Sequence, residues 1–67
     1  MEKKTYIVRT HANKEFDGHY SHASATHSYY EEQGTVLVLE IEVEQWYASA
    51  YERQLDSDSA VISYREA

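Results

Sequence analysis

Four histidines, His11, His19, His22 and His27, fall in the first half of the chain and are the side chains best suited to chemistry. His19 and His22 stand in a His-x-x-His spacing that sets two rings on one face if the stretch is helical, with Glu15 and Asp17 close by in sequence. Zinc accepts imidazole and carboxylate ligands, and catalytic zinc sites commonly take three of them. The spacing fits no named zinc signature. A His-based metal-binding module is therefore an alternative, set against exposed histidines in a Ser/Ala/His-rich segment.

Acid–base work needs paired carboxylates, and Glu31-Glu32 and Glu40/Glu42 are the pairs on offer. Nothing in the flanking sequence indicates the burial that would shift their pKa values. Ser, His and Asp all occur, yet there is no Gly-x-Ser-x-Gly elbow, phosphate-cradling glycine loop or dinucleotide fingerprint. Two glycines in 67 residues leave little material for a pocket that buries a substrate. The reading is a protein that is not an enzyme, with no catalytic residues, no cofactor and no resident metal.

The elements that would position these side chains are unevenly legible. Thr35 to Val43 alternates Leu37, Leu39, Ile41 and Val43 against Val36, Val38, Glu40 and Glu42, which predicts a strand. It carries six of the 11 Leu, Ile and Val side chains and is placed centrally. Tyr6 to Thr10 and Ala60 to Arg65 are two further strands, the latter after a turn at Asp56 to Ser59. Asp17-Gly18 is a two-residue hairpin signal. It would let the first strand run toward Phe16 and return at His19. Glu44 to Leu55 lacks β-branched residues and repeats Tyr47, Tyr51 and Leu55 every fourth position, which favours a helix over a rival strand from Gln45 to Arg53. Ser21 to Gln33 is ambiguous. Ala23, His27 and Tyr30 sit at helical spacing before Gly34, a natural residue beyond a helix end, and helix is favoured. The same residues also suit a Ser/Thr/Tyr strand. The expected order is β, a short β, α, β, α, β. The fold class is α+β: a small antiparallel sheet of three to four strands with one or two helices on one face.

Composition bounds the rest. The chain, residues 1–67, is read as a single domain. The absence of Cys removes disulfide scaffolds, cysteine zinc sites and thiol catalysis. No apolar run reaches membrane-spanning length and the N-terminus has no apolar signal core, so a cytoplasmic location (the host cytoplasm, if phage-encoded) is expected. Leu, Ile, Val and Phe total only 12 residues. A core this thin needs either tight packing of the seven tyrosines and Trp46 or a homodimer that shares it.

Charge is concentrated. The formal net charge is -6, and residues 31 to 67 hold nine acids against Arg53 and Arg65 alone. Glu40, Glu42 and Glu44 recur at alternate positions, roughly 6.7 Å apart on one strand face. That pitch resembles a phosphate row, which has one phosphate per roughly 3.4 Å of axis on each strand of a duplex and a longer through-space gap because the strand winds. Glu31 and Glu32 add to it from the preceding turn, and Glu44 leaves it if a helix begins there. A solvated strand face that discourages edge pairing is the competing reading. Phosphate backbones should repel such a chain, so direct nucleic-acid binding is not expected. Protonating all four histidines would move the formal charge from -6 to -2 and weaken binding to a basic partner.

In length, acidic half and the Glu40/Glu42/Glu44 row, the chain resembles the small cysteine-free inhibitors encoded by phages and mobile elements, the anti-CRISPR proteins and DNA mimics. Those proteins share no common fold or site, so the resemblance transfers no residue roles. It implies an inhibitor or interaction module that occludes a basic, nucleic-acid-binding protein or effector complex. Glu31, Glu32, Glu40, Glu42 and Glu44 would meet Lys or Arg, with Trp46 and Tyr47 giving apolar contact. A structural or assembly protein forming a homodimer is the alternative.

Overall fold

A computed structural model describes residues 2–16 and 22–67. Four strands and one helix follow one another as β1 (Lys3–His11), β2 (Ala23–Glu31), β3 (Val36–Glu44), α1 (Ala48–Ser57) and β4 (Val61–Glu66). Short 3-10 turns, Glu32–Gly34 and Gln45–Tyr47, precede β3 and α1. The strands form one antiparallel sheet in the order β2-β3-β1-β4, with α1 packed on one face. The protein is therefore a small α+β fold.

β3 is internal, as its alternation predicts. Leu39, Ile41 and Val43 point at the helix side, where they meet Tyr6 and Val8 of β1 and Ala48, Tyr51 and Leu55 of α1. Ala48, Tyr51 and Leu55 recur at helical spacing, so α1 buries a single stripe against the sheet. Phe16, Tyr47, Val61 and Tyr64 close the rim of this core. Tyr6 contacts Tyr51 and Tyr64 with ring centroids 6.1 and 6.2 Å apart, so tyrosines do replace missing aliphatic volume.

Three expectations need correction. The helix favoured for Ser21 to Gln33 does not form among the described residues: Ala23–Glu31 is the edge strand β2. Its register slips by one residue between Ala25 and His27, a bulge at Thr26 whose hydroxyl donates to the Glu40 carbonyl at 3.2 Å. The bulge puts Ala23, Ala25, Ser28 and Tyr30 on one face and so breaks the period of two, while His27, read from the sequence as sharing a helix face with Ala23 and Tyr30, lies on the other. Gly34 does adopt left-handed backbone, with φ +88, but as the last residue of a tight β2–β3 turn in which Glu32 and Gln33 are also left-handed. It ends no helix. Finally, Glu44 belongs to β3, because its amide donates to the His22 carbonyl and the Gln45 amide to that of Glu2. The α-helix proper starts at Ala48. Among the described residues the order is thus β, β, β, α, β, with one α-helix. The Asp17-Gly18 hairpin signal lies outside the described residues.

The Asp56–Ser59 turn expectation holds in its second half. Asp58 closes α1 by donating its amide to the Leu55 carbonyl, and its carboxylate accepts from the Ala60 amide at 2.9 Å. That local turn aims the chain back along the sheet as β4.

Candidate protein-docking surface

No described element covers the sheet face opposite α1. Register alone reads out its rows. Across the middle, His27, Glu40, Ile7 and Arg65 lie side by side on β2, β3, β1 and β4; the next row is Tyr29, Val38, Arg9 and Ser63. Glu42 follows Glu40 with Thr5 and Ser24 as neighbours. Glu31 stands beyond Tyr29, opposite Val36.

The face is divided by charge. Glu31, Glu40 and Glu42 occupy its β2–β3 half; Lys3, Arg9 and Arg65 occupy the β1–β4 half. Two ion pairs cross the divide, Lys3 to Glu42 at 3.8 Å and Arg9 to Glu31 at 3.4 Å. Both are substantially exposed, so each contributes little to stability. The second spans β3 from β1 to β2. It crosses Val36 and Val38, which explains why these valines are buried on a face with no covering element. Its cost is visible too: Arg9 Nε is buried with no hydrogen-bond partner among the described residues.

The seven residues singled out from the sequence do not form one surface. Glu31, Glu40 and Glu42 share the open face. Glu32 lies in the β2–β3 turn, exposed, at one end of the sheet. Glu44, Trp46 and Tyr47 gather at the opposite end around His22. The His22 ring sits 4.4 Å from that of Trp46 and 5.2 Å from that of Tyr47, and its Nδ1 is 2.9 Å from Glu44 Oε2. Glu44 thus keeps its place in the β3 row, opposite Lys3, because no helix starts there, while its carboxylate turns to His22. Trp46 remains 65% exposed, while Tyr47 is half-buried and accepts a hydrogen bond from Gln54 at 2.8 Å.

Sequence reasoning missed a further group. Tyr6 on β1 donates to Glu52 of α1, and Tyr64 on β4 donates to Asp56 at 2.8 Å. Burial first, then the Glu52 carboxylate, pushes the Tyr6 hydroxyl well above its ordinary range; Tyr64 is raised chiefly by its bond to Asp56. Glu66 adds to the field at Tyr6 and is 3.7 Å from Lys4. The only sequence signal was that Tyr6 and Tyr64 lie on strands and Glu52 and Asp56 four apart on a helix.

Among the described residues, no three His, Cys, Asp or Glu side chains converge on a metal-sized site, and His19 lies outside them. A cleft of about 410 Å³ at the β2–β3 turn, beside Glu32, is lined by His11, Ala12, Asn13, Gly34 and Thr35. No described helix is long and apolar enough to cross a membrane. Comparison of the chain with protein-family models, curated proteins and solved structures finds no match.

Proposed function

We propose that the protein is a non-enzymatic interaction module that occludes a basic, nucleic-acid-handling protein, in the manner of a small anti-CRISPR-like inhibitor. The observation that carries the reading is the acidic half of the uncovered sheet face. There Glu31 and Glu40 flank Tyr29, which is 53% exposed, and Glu42 lies one row beyond Glu40; Glu31 and Glu42 are also paired with Arg9 and Lys3. Carboxylates around an exposed tyrosine suit a Lys/Arg-rich surface, with the ring as apolar anchor and the acids as a steering rim. The mechanism is steric and electrostatic and involves no bond chemistry. Glu44 and Trp46, at the sheet's end, extend the contact for a partner large enough to wrap that edge.

The test is affinity for a purified basic partner captured from cognate cells, measured across ionic strength. Affinity is expected to fall as salt rises, and Glu40→Lys with Glu42→Lys to abolish most of it while leaving the thermal transition in place. Salt-independent affinity that also survives the double charge reversal would remove this face from consideration. The second reading, an assembly protein, draws on a different part of the molecule, the β2 edge.

A further inference from the structure

The outer side of β2 pairs with no described strand, and such an edge ordinarily carries charges or proline to prevent pairing. This one carries no proline and a single charged residue, Glu31 at its last position. Between Asp17 and Glu31 the sequence contains no Lys, Arg, Asp, Glu or Pro, although the whole chain is at -6. β4, the opposite edge, is shorter and bears Arg65 and Glu66. Tyr29 and Tyr30 project from β2 at 53% and 66% exposure on opposite faces, against the small residues Ala23, Ser24 and Ala25 at the other end of the same strand.

We propose that β2 is a homodimerisation edge, pairing antiparallel with β2 of a second copy across a two-fold axis between Thr26 and His27. The size gradient requires the antiparallel direction: Tyr30 then lies beside Ala23 of the second copy and Tyr29 beside Ser24. The bulge fixes the register. Before it, Ala23 and Ala25 face the helix side; after it, Ser28 and Tyr30 do. Only the register that places the bulge on the two-fold sets every helix-side residue against a helix-side residue, with Ala25 opposite Ser28 and Thr26 opposite His27. Moving the two-fold onto Thr26, His27 or Ser28 brings side chains from opposite faces together. Glu31 falls opposite His22 and not opposite another acid. The four strands of each sheet become one continuous sheet of eight, with both α1 helices on the same side.

Dimerisation and docking respond oppositely to salt. In the pairing described, the Glu40 residues of the two copies stand three strand spacings apart, roughly 14 Å. That exceeds the Debye length of about 8 Å at physiological salt but not that of about 30 Å at 0.01 M. Salt therefore screens repulsion between two acidic subunits and strengthens the dimer, whereas it weakens binding to a basic partner. The dimer also sets the two acidic half-faces side by side.

Sedimentation of the full chain over a range of concentrations at low and moderate salt is the first measurement. A monomer–dimer equilibrium that tightens with salt is expected, and Ser28→Lys should raise its dissociation constant roughly tenfold or more without changing the monomer's circular dichroism. Register is tested by mixing Ala25→Cys and Ser28→Cys chains, because the protein has no cysteine of its own. These should form a mixed disulfide under mild oxidation, and Ser24→Cys with Ser28→Cys, which face opposite ways, should not. A chain that stays monomeric at millimolar concentration overturns the proposal, as does a dimer indifferent to Ser28→Lys. Protection, in a monomer, of the β2 amides that point away from β3 would show that the chain's own segment covers the edge and would overturn it equally. None of these results bears on the Glu40/Glu42 face.

Discussion

Tyr6 shows how one hydroxyl can tie the two layers together. Its ring is 1% exposed in the core, while its oxygen reaches Glu52 on α1. Phenylalanine at this position keeps the ring and loses the bond, so Tyr6→Phe should cost about 1–3 kcal/mol, read from chemical denaturation at neutral pH. The same contact sets a pH limit. Because the folded hydroxyl holds its proton more tightly than the unfolded one, whose ordinary value is near 10, the contribution is complete below pH 10. It is lost as pH rises above 10, where the unfolded chain releases the proton first. Melting temperatures between pH 9 and 12 should therefore fall more steeply for the native chain than for Tyr6→Phe. Parallel curves would show that this hydroxyl has no part in alkaline unfolding. His22 contrasts with Tyr6: its ring bridges Glu44, Trp46 and Tyr47 at the molecule's rim, a cluster that joins residues distant in sequence and has no periodic signature.

At the scale of elements, stability rests on a helix with one buried stripe and a turn with unusual backbone. Leu55 is 1% exposed and lies where α1 meets the sheet. Leu55→Ala should cost about 2–5 kcal/mol and, in so small a domain, bring the folded state close to its limit. In the β2–β3 turn, a Cβ added at Gly34 would meet nothing within 4 Å, so space does not forbid alanine. Its φ of +88 does, and Gly34→Ala should destabilise by about 1–2 kcal/mol through backbone strain alone. A loss well beyond that range would mean that the turn also makes contacts in a larger assembly. β3 and α1 were legible because each buries a stripe of its own, at period two and near period four. β2 was not. It buries only Ala23 fully, its tyrosines face outward, and its bulge breaks the alternation. A strand of this kind is made by its partner strand and not by its own pattern.

For the molecule as a whole, charge is the property that acts at a distance. The chain's -6 is not spread as the sequence suggested: bases from β1 and β4 share the open face with acids from β2 and β3. Association with a basic partner should therefore depend on orientation, with the on-rate falling as ionic strength rises. Reversing Glu40 and Glu42 should slow association much more than it speeds dissociation, as surface plasmon resonance would show; an unchanged on-rate would place the docking surface elsewhere. Dimerisation, if driven through β2, should rise with salt over the same range, so the two associations can be separated in one titration.

By itself the sequence determined the fold class, the internal strand, the single buried stripe of the helix and the acid excess, because local periodicity and composition carry those properties. The tertiary structure alone decided that Ala23–Glu31 is a strand, that Glu44 turns to His22, and that Lys3 and Arg9 stand among the glutamates of β3 and β2. The physical reason is common to all three. Each depends on which strands lie side by side and in what register, and pairing between distant segments leaves no mark on either segment read alone.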